Sequence, residues 1–263
     1  MSQLFRNARR TVVQSLHSRS YRRFFLVLAI VSLVPITLYA LNGSLPPGSN
    51  FNLSYWELAI PTGSNGPTII SNSQLENGYT NSSYFFTNSS DGSMAMKQPG
   101  TNCTKFSGSS YCRTEFHEVD PSTGQETSWS PSGTNKLNAT LKVTTVGGGI
   151  VISQVFLDDS AHKPLGELEY RSDGDIYLDV EKSEAGGAGE TPYYVGHADV
   201  DSSFNYELSY TNNNLSVVFE GGSRQYIPVP SSLQGINAFF KAGDYGQSSD
   251  ATDDHFTALT ITH

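Results

Sequence analysis

Past residue 41 the chain alternates between short runs of period-two hydrophobicity and clusters of glycine or asparagine such as Gly147-Gly148-Gly149, Asn212-Asn213-Asn214 and Gly221-Gly222. In a strand, successive side chains point to opposite faces. Tyr84 to Phe86, Leu137 to Val143, Ile150 to Leu157, Asp175 to Val180, Phe204 to Tyr210 and Leu215 to Glu220 all read as such strands. In the second of these, Leu137, Ala139, Leu141 and Val143 share one face. No stretch beyond Leu41 has the spacing of an amphipathic helix, and no internal repeat is visible. Short strands joined by glycine-rich turns predict an all-β fold of two packed sheets. With 24 Gly, 14 Tyr, 14 Phe and 16% charged residues in 263, the composition agrees and the length suits one domain, expected to act as a monomer.

The beginning of the chain is different. Residues 1–23 form a basic arm, and Phe24 to Leu41 is an uncharged, mostly apolar run of 18 residues. As a helix it would be ~27 Å long, close to the ~30 Å of a bilayer core. The positive-inside rule would keep the arm in the cytoplasm and send the rest across, as a signal anchor or a long signal peptide. Residues 42–50 read as a linker and 51–263 as the domain. Seven Asn-x-Ser/Thr sequons, at Asn42, Asn52, Asn81, Asn88, Asn102, Asn138 and Asn214, fit an exported, extracellular or secretory-pathway glycoprotein of type II topology. Residues 1–41 hold six Arg and no acid, which leaves ten Lys+Arg against 25 Asp+Glu, a charge near −15 on the remainder. Such a surface repels nucleic acid, and an anionic substrate must be held by local cations within about 8 Å.

Three stretches carry the chemistry. In Phe239-Phe240-Lys241-Ala242-Gly243-Asp244-Tyr245-Gly246-Gln247, alternation puts Phe239, Lys241, Gly243 and Tyr245 on one face, with Gly243 leaving room for a ligand or a neighbouring backbone. In Arg113-Thr114-Glu115-Phe116-His117-Glu118, Arg113, Glu115 and His117 face one way, which implies a solvated cleft or an internal ion pair. In Ile152-Ser153-Gln154-Val155-Phe156, Ile152, Gln154 and Phe156 share a face.

Together these resemble the Y-F-K-A-G-x-Y-N-Q, R-T/S-E-L-R-E and Q-I/V-H signatures of polysaccharide lyase family 7, the alginate lyases. Tyr55 to Pro61 resembles the family's first strand and Phe256 to His263 its last. The resemblance implies a β-jelly roll with a concave substrate groove and lyase activity on a uronic acid polysaccharide. It implies that Arg113 binds the substrate carboxylate, that Glu115 orients its neighbours, that Gln154 helps neutralise the carboxylate, and that Lys241, Phe156 and Gln247 contact substrate. His117 stands where a second Arg is usual, and Phe156 where the family has a catalytic His. His117 also resembles a feature of the related glucuronan lyases.

Eliminating across the C4–O bond of a 1,4-linked uronan needs the C5 proton removed beside a carboxylate, so that carboxylate must first be neutralised. Arg113, Gln154 and His117 can donate hydrogen bonds to it. Tyr245 then serves as base and acid, with Arg113, Lys241 or a protonated His117 expected to favour its phenolate. The chemistry requires no metal or organic cofactor. Mannuronate and glucuronate present the C5 proton and C4 oxygen on one side, within reach of one Tyr, whereas guluronate needs a separate base. With Phe156 in the base position, mannuronate or glucuronate chains are expected to be preferred unless His117 supplies that base.

Cys103 and Cys112, the only cysteines, are expected to form a disulfide, the other reading being two buried thiols. His162, His197, His255 and His263 show no metal-ligand spacing, and Asp250 to Asp254 reads as a solvated acidic turn. Two other readings remain open: a jelly-roll glycoside hydrolase using Glu167 and Glu169, and a non-catalytic sugar-binding domain.

Overall fold

The structure, a computed structural model, describes residues 40–159, 162–183 and 189–263. The basic arm and the apolar run as far as residue 39 lie outside the described residues. Fifteen strands occur among the described residues. The first five are β1 (Trp56–Ile60), β2 (Thr68–Ile70), β3 (Phe85–Thr87), β4 (Met94–Gln98) and β5 (Arg113–Glu118). Then come β6 (Lys136–Thr145), β7 (Gly149–Leu157), β8 (Pro164–Arg171), β9 (Asp175–Glu181) and β10 (Glu190–His197). The last five are β11 (Phe204–Thr211), β12 (Asn214–Phe219), β13 (Gln225–Ile227), β14 (Ala238–Gly246) and β15 (Thr252–Thr262).

They form two antiparallel sheets. Eight strands run in the order β10-β9-β8-β7-β14-β5-β1-β2 and seven in the order β13-β12-β11-β6-β15-β4-β3. The apolar faces meet between the sheets: β6 alternates strictly, with Leu137, Ala139, Leu141 and Val143 all buried, as its sequence pattern requires. Phe116 on β5 packs against Trp56 and Phe85, each with ring centroids 5.6 Å away. Helix is confined to short pieces such as Asn72–Glu76, whose Ser71 and Gln74 form a capping box.

Three features differ from the sequence reading. The stretch 42–50 is folded onto the domain: Asn42 and Asn50 exchange two 3.0 Å hydrogen bonds, and Asn50 Nδ2 reaches the Gly92 carbonyl at 3.4 Å. Register irregularities on either side of β7 interrupt its alternation near residue 152, so Ile152 is fully buried in the core and does not share the outer face with Gln154 and Phe156. The third difference is the acidic stretch at 250–254, which is no solvated turn beyond Ala251. Thr252 to Asp254 begin β15, where Asp253 pairs with Lys97 at 2.8 Å and Asp254 is fully buried.

Asp254 lies near Asp244, which the core face of β14 buries completely. Thr252 Oγ1 donates to one Asp244 oxygen, while the other Asp244 oxygen and both Asp254 oxygens have no partner among the described residues. Burial, and for Asp254 also the neighbouring Asp244, push both carboxyls well above the usual range. The folded protein therefore retains protons that the unfolded chain releases. That stability is fully present below the unfolded carboxyl range and is lost as pH rises toward the folded values, by about 1.4 kcal/mol per pH unit for each group that differs. Asp254→Asn is expected to remove about half of the fall in melting temperature between about pH 5 and pH 8, whatever its absolute stability, because Asp244 stays buried. An unchanged fall in the folded variant would show that this pair does not set the slope.

Candidate active site

The antiparallel register places the three motifs side by side on the eight-stranded sheet. Lys241 on β14 lies between His117 on β5 and Gln154 on β7, and the same row continues to Glu167 on β8 and Asp179 on β9. Tyr245 lies opposite Arg113, and Phe239 opposite Phe156. Outward-facing side chains of this region line a cleft of about 530 Å³ that includes Arg113, His117, Gln154, Phe156, Lys241 and Tyr245. Gly243 leaves its room for a neighbouring backbone. At a φ of +138°, an added Cβ would stand 2.6 Å from both the Thr114 carbonyl oxygen and the Met96 methyl.

Glu115 is the hub. It is 1% exposed, and its Oε2 accepts from Arg113 at 2.7 Å and contacts His117 Nε2 at 3.2 Å, while Oε1 accepts from Gln154 Nε2 at 2.5 Å. One carboxylate thus fixes a residue from each side of its own strand position and one from β7, two strands away. Burial opposes its charge, but the Arg113 guanidinium, the His117 hydrogen bond and the Lys241 ammonium overcome it and hold the carboxyl far below the usual range.

Arg113 is also bound by Ser109 Oγ at 2.7 Å, and its guanidinium lies 3.6 Å from the Tyr245 ring centroid and 5.5 Å from that of Phe106. Its Nε is buried with no partner among the described residues. Ser109 and Phe106 belong to the loop closed by the Cys103–Cys112 disulfide, whose Cα atoms are 5.9 Å apart. Sequence reasoning missed both residues. The bracketing cysteines, with Cys112 immediately before Arg113, were the signal that the loop must return to the cleft.

The ionisation states differ from those expected. Burial pushes His117 down to about 4, with Lys241 and Arg113 adding to the effect and Glu115 opposing it. Its imidazole is therefore neutral at neutral pH. Hydrogen bonding to ionised Glu115 puts the proton on Nε2 and leaves Nδ1 as the basic atom. Tyr245 moves the opposite way to the expected phenolate: burial raises it, with Arg113 and Ser109 opposing and Glu167 and Glu115 adding to the rise. It is a phenol at neutral pH. Burial also lowers Lys241, to about 8, and its ammonium sits 3.5 Å from the Phe156 ring centroid. Phe156 thus seats the lysine. A neutral imidazole therefore lines the same cleft as Phe156.

Other expected residues fall outside the cluster. Gln247 lies past the end of β14, its side chain bonded to the Tyr245 carbonyl at 3.3 Å and its backbone to Gly149, and it does not line the cleft. Glu169, half of the hydrolase pair, is bound by Arg171 Nε at 2.8 Å and does not line it either. Glu167 does, hydrogen-bonded to Glu190, and burial with this neighbour pushes it up to about 8. Among the described residues no group of three or more His, Cys, Asp or Glu side chains has the geometry to hold a metal ion.

Comparison with known proteins gives one consistent result. The family model described as alginate lyase matches residues 51–263. An alginate lyase of Klebsiella pneumoniae is 26% identical over 277 residues, covering 82% of this chain and 89% of its own. The solved alginate lyase A1-II′, a member of polysaccharide lyase family 7, superposes with a TM-score of 0.73 at 27% identity, over 82% of this chain and 98% of its own. A variant of A1-II′ in complex with a substrate (GGMG) gives a TM-score of 0.75 at 25% identity, over 84% of this chain and 97% of its own.

If Glu115 organises the cleft, removing its charge strands Arg113. Glu115→Gln is expected to cost about 3–5 kcal/mol in urea unfolding near neutral pH, because an unpaired buried charge remains. Pairing it with Arg113→Met is expected to recover part of that loss. A single-variant cost below about 1 kcal/mol would deny Glu115 this role.

Proposed function

The chain belongs to the alginate lyase family, and from that premise we propose that it cleaves alginate by β-elimination, with His117 as base and Tyr245 as acid. The observation that carries this reading is geometric: His117 and Tyr245 line one cleft, in the cross-strand rows on either side of Glu115, and burial favours the neutral form of both. In the reaction, the Nδ1 lone pair of His117 takes the C5 proton. The electrons form the C4–C5 double bond, the C4–O bond breaks, and the Tyr245 hydroxyl protonates the departing oxygen. The unsaturated uronate end forms with no net redox change.

The charge that develops on the C5 carboxylate during proton removal is met by unspent donors. Gln154 has a second amide hydrogen beyond the one given to Glu115, Lys241 has no ion-pair partner among the described residues, and Arg113 brings its guanidinium charge to the same cleft. Preorganised donors in a site partly shielded from water are worth more than the same groups in solution. Arg113 held flat against Tyr245 also keeps the phenol beside the groove's cationic part. The basic arm and apolar run at 1–41 carry over as a proposal that the domain works on the far side of a membrane from that arm.

Wild-type enzyme on alginate is expected to generate the ultraviolet absorbance of a conjugated unsaturated uronate, and Tyr245→Phe to lose about 10²-fold or more of that rate while folding normally. Binding of alginate with no such absorbance would replace this reading by a sugar-binding one, and reducing ends without absorbance would mean hydrolysis. A comparison of poly-mannuronate, poly-guluronate and glucuronan then locates the base. His117→Ala is expected to lower cleavage of every polymer that wild type cuts, and a folded His117→Ala with wild-type rates would transfer the base role to Tyr245.

A further inference from the structure

The loop closed by Cys103 and Cys112 carries an aromatic ring onto the imidazole of His117. Residues 106–109 form a tight turn in which the Ser109 N–H donates to the Phe106 carbonyl at 3.0 Å. Gly108, third in that turn, holds a φ of +81°, which favours glycine. All four residues of the turn line the cleft. The loop is tied down along its length: the Thr104 N–H donates to the Pro61 carbonyl at 3.1 Å, Lys105 Nζ to the Ser110 carbonyl at 3.0 Å, and the Gly246 N–H to the Cys112 carbonyl at 3.2 Å. A disulfide across a separation of 9 residues leaves such a segment few other arrangements.

Phe106 lies against His117 with ring centroids 5.4 Å apart and planes 25° from parallel, and its ring is also 5.5 Å from the Arg113 guanidinium. The two contacts differ in consequence. Arg113 is restrained without Phe106, by Glu115 and Ser109 at 2.7 Å each and by the Tyr245 ring at 3.6 Å. The His117 side chain has a single polar restraint, the 3.2 Å contact of Nε2 with Glu115. That contact fixes one corner of the ring, while the torsion that turns a histidine ring about its own axis is broad and weakly held. Among the described residues the Phe106 ring is the one that stacks on this imidazole, and it comes from a loop rather than from the sheet.

We propose that Phe106 is a positioning residue for the lyase reaction: it fixes the plane of the His117 ring so that, with Nε2 held on Glu115, Nδ1 is presented to the C5 proton, and it keeps water off one face of that ring. This rests on the reading of His117 as the base. Aromatic rings hold one another in preferred mutual orientations, so a stacked partner sets a plane where a single hydrogen bond does not. Correct orientation of a reacting group raises the rate of the chemical step without tightening the binding of the ground state. The loss of Phe106 therefore falls on kcat rather than on KM. Keeping water away also favours the uncharged imidazole, so the same loss is read in the titration of His117.

The test pairs alginate kinetics with titration of the His117 ring by nuclear magnetic resonance in the unliganded protein. Phe106→Ala is expected to lower kcat about tenfold while KM changes by less than about twofold. It is also expected to move the His117 midpoint up from about 4 toward the ordinary value of about 6.5. Arg113 and Glu115 on the same strand, Lys241 opposite His117 on β14 and Glu57 opposite it on β1 are unchanged in this variant, so the shift reads the lost ring. Phe106→Tyr, which restores a ring, is expected to recover most of the rate and the low midpoint. Ser109→Ala takes one bond from Arg113 and leaves Phe106, and is expected to keep the midpoint at about 4. A folded Phe106→Ala with wild-type kcat would overturn the proposal, as would an equal midpoint shift in Ser109→Ala, which would assign the effect to the loop as a whole. Wild-type rates in His117→Ala beside a shifted midpoint in Phe106→Ala would sink the base reading and the positioning role with it. A severe loss in His117→Ala beside an unaffected Phe106→Ala would remove the positioning role alone.

Discussion

A single buried carboxylate, that of Glu115, ties the cleft together. It is the common partner of Arg113, His117 and Gln154, which come from two strands separated by β14 in the sheet order. Taking a carboxylate and a guanidinium out of water is costly unless their geometry is good and their remaining hydrogen bonds are met. Here Ser109 and the faces of Tyr245 and Phe106 complete the surroundings of Arg113. The same charge keeps Lys241 from being lowered further in its dry position over Phe156. Without Glu115, three cation or donor groups would be left pointing into a groove with nothing to space them.

The placement of charge also explains how an acidic domain can act on an acidic polymer. The net charge of the chain is −9, and residues 42–263 alone carry ten Lys+Arg against 25 Asp+Glu. Long-range attraction is therefore unavailable, and binding depends on short-range donors within a Debye length of about 8 Å. In the proposed mechanism Arg113, Lys241 and Gln154 supply them, while burial pushes the Glu167 carboxyl of the same cleft up to about 8. Burial thus acts twice on charge in the cleft: it favours the neutral form of an acid and weakens a lysine.

Much of this was legible in the sequence because a strand's period of two is strict. Arg113, Glu115 and His117 had to share a face, as did Lys241 and Tyr245, and only the pairing of β14 with β5 and with β7 was needed to bring them together. What stayed hidden has identifiable causes. The irregularity in β7 that turns Ile152 inward leaves no mark in an apolar run. Asp254 looked like a solvated residue because its neighbours are acidic, yet its strand position sends it into the core. The protonation of Tyr245 was misread because nearby cations can be seen in a motif and burial cannot. Ser109 and Phe106 come from a segment with no motif, and only the fold brings them to the cleft.

The central claim is that the cleft holds His117 as a neutral base at working pH. Titration of the His117 ring by nuclear magnetic resonance in the unliganded protein tests it directly, with His117→Gln used to assign the signal. The account predicts a midpoint at about 4, well below the ordinary histidine value of about 6.5. A midpoint at or above the ordinary value would mean a charged imidazole bound to Glu115, and His117 would then be a carboxylate-neutralising group with Tyr245 left as the only proton-transfer residue.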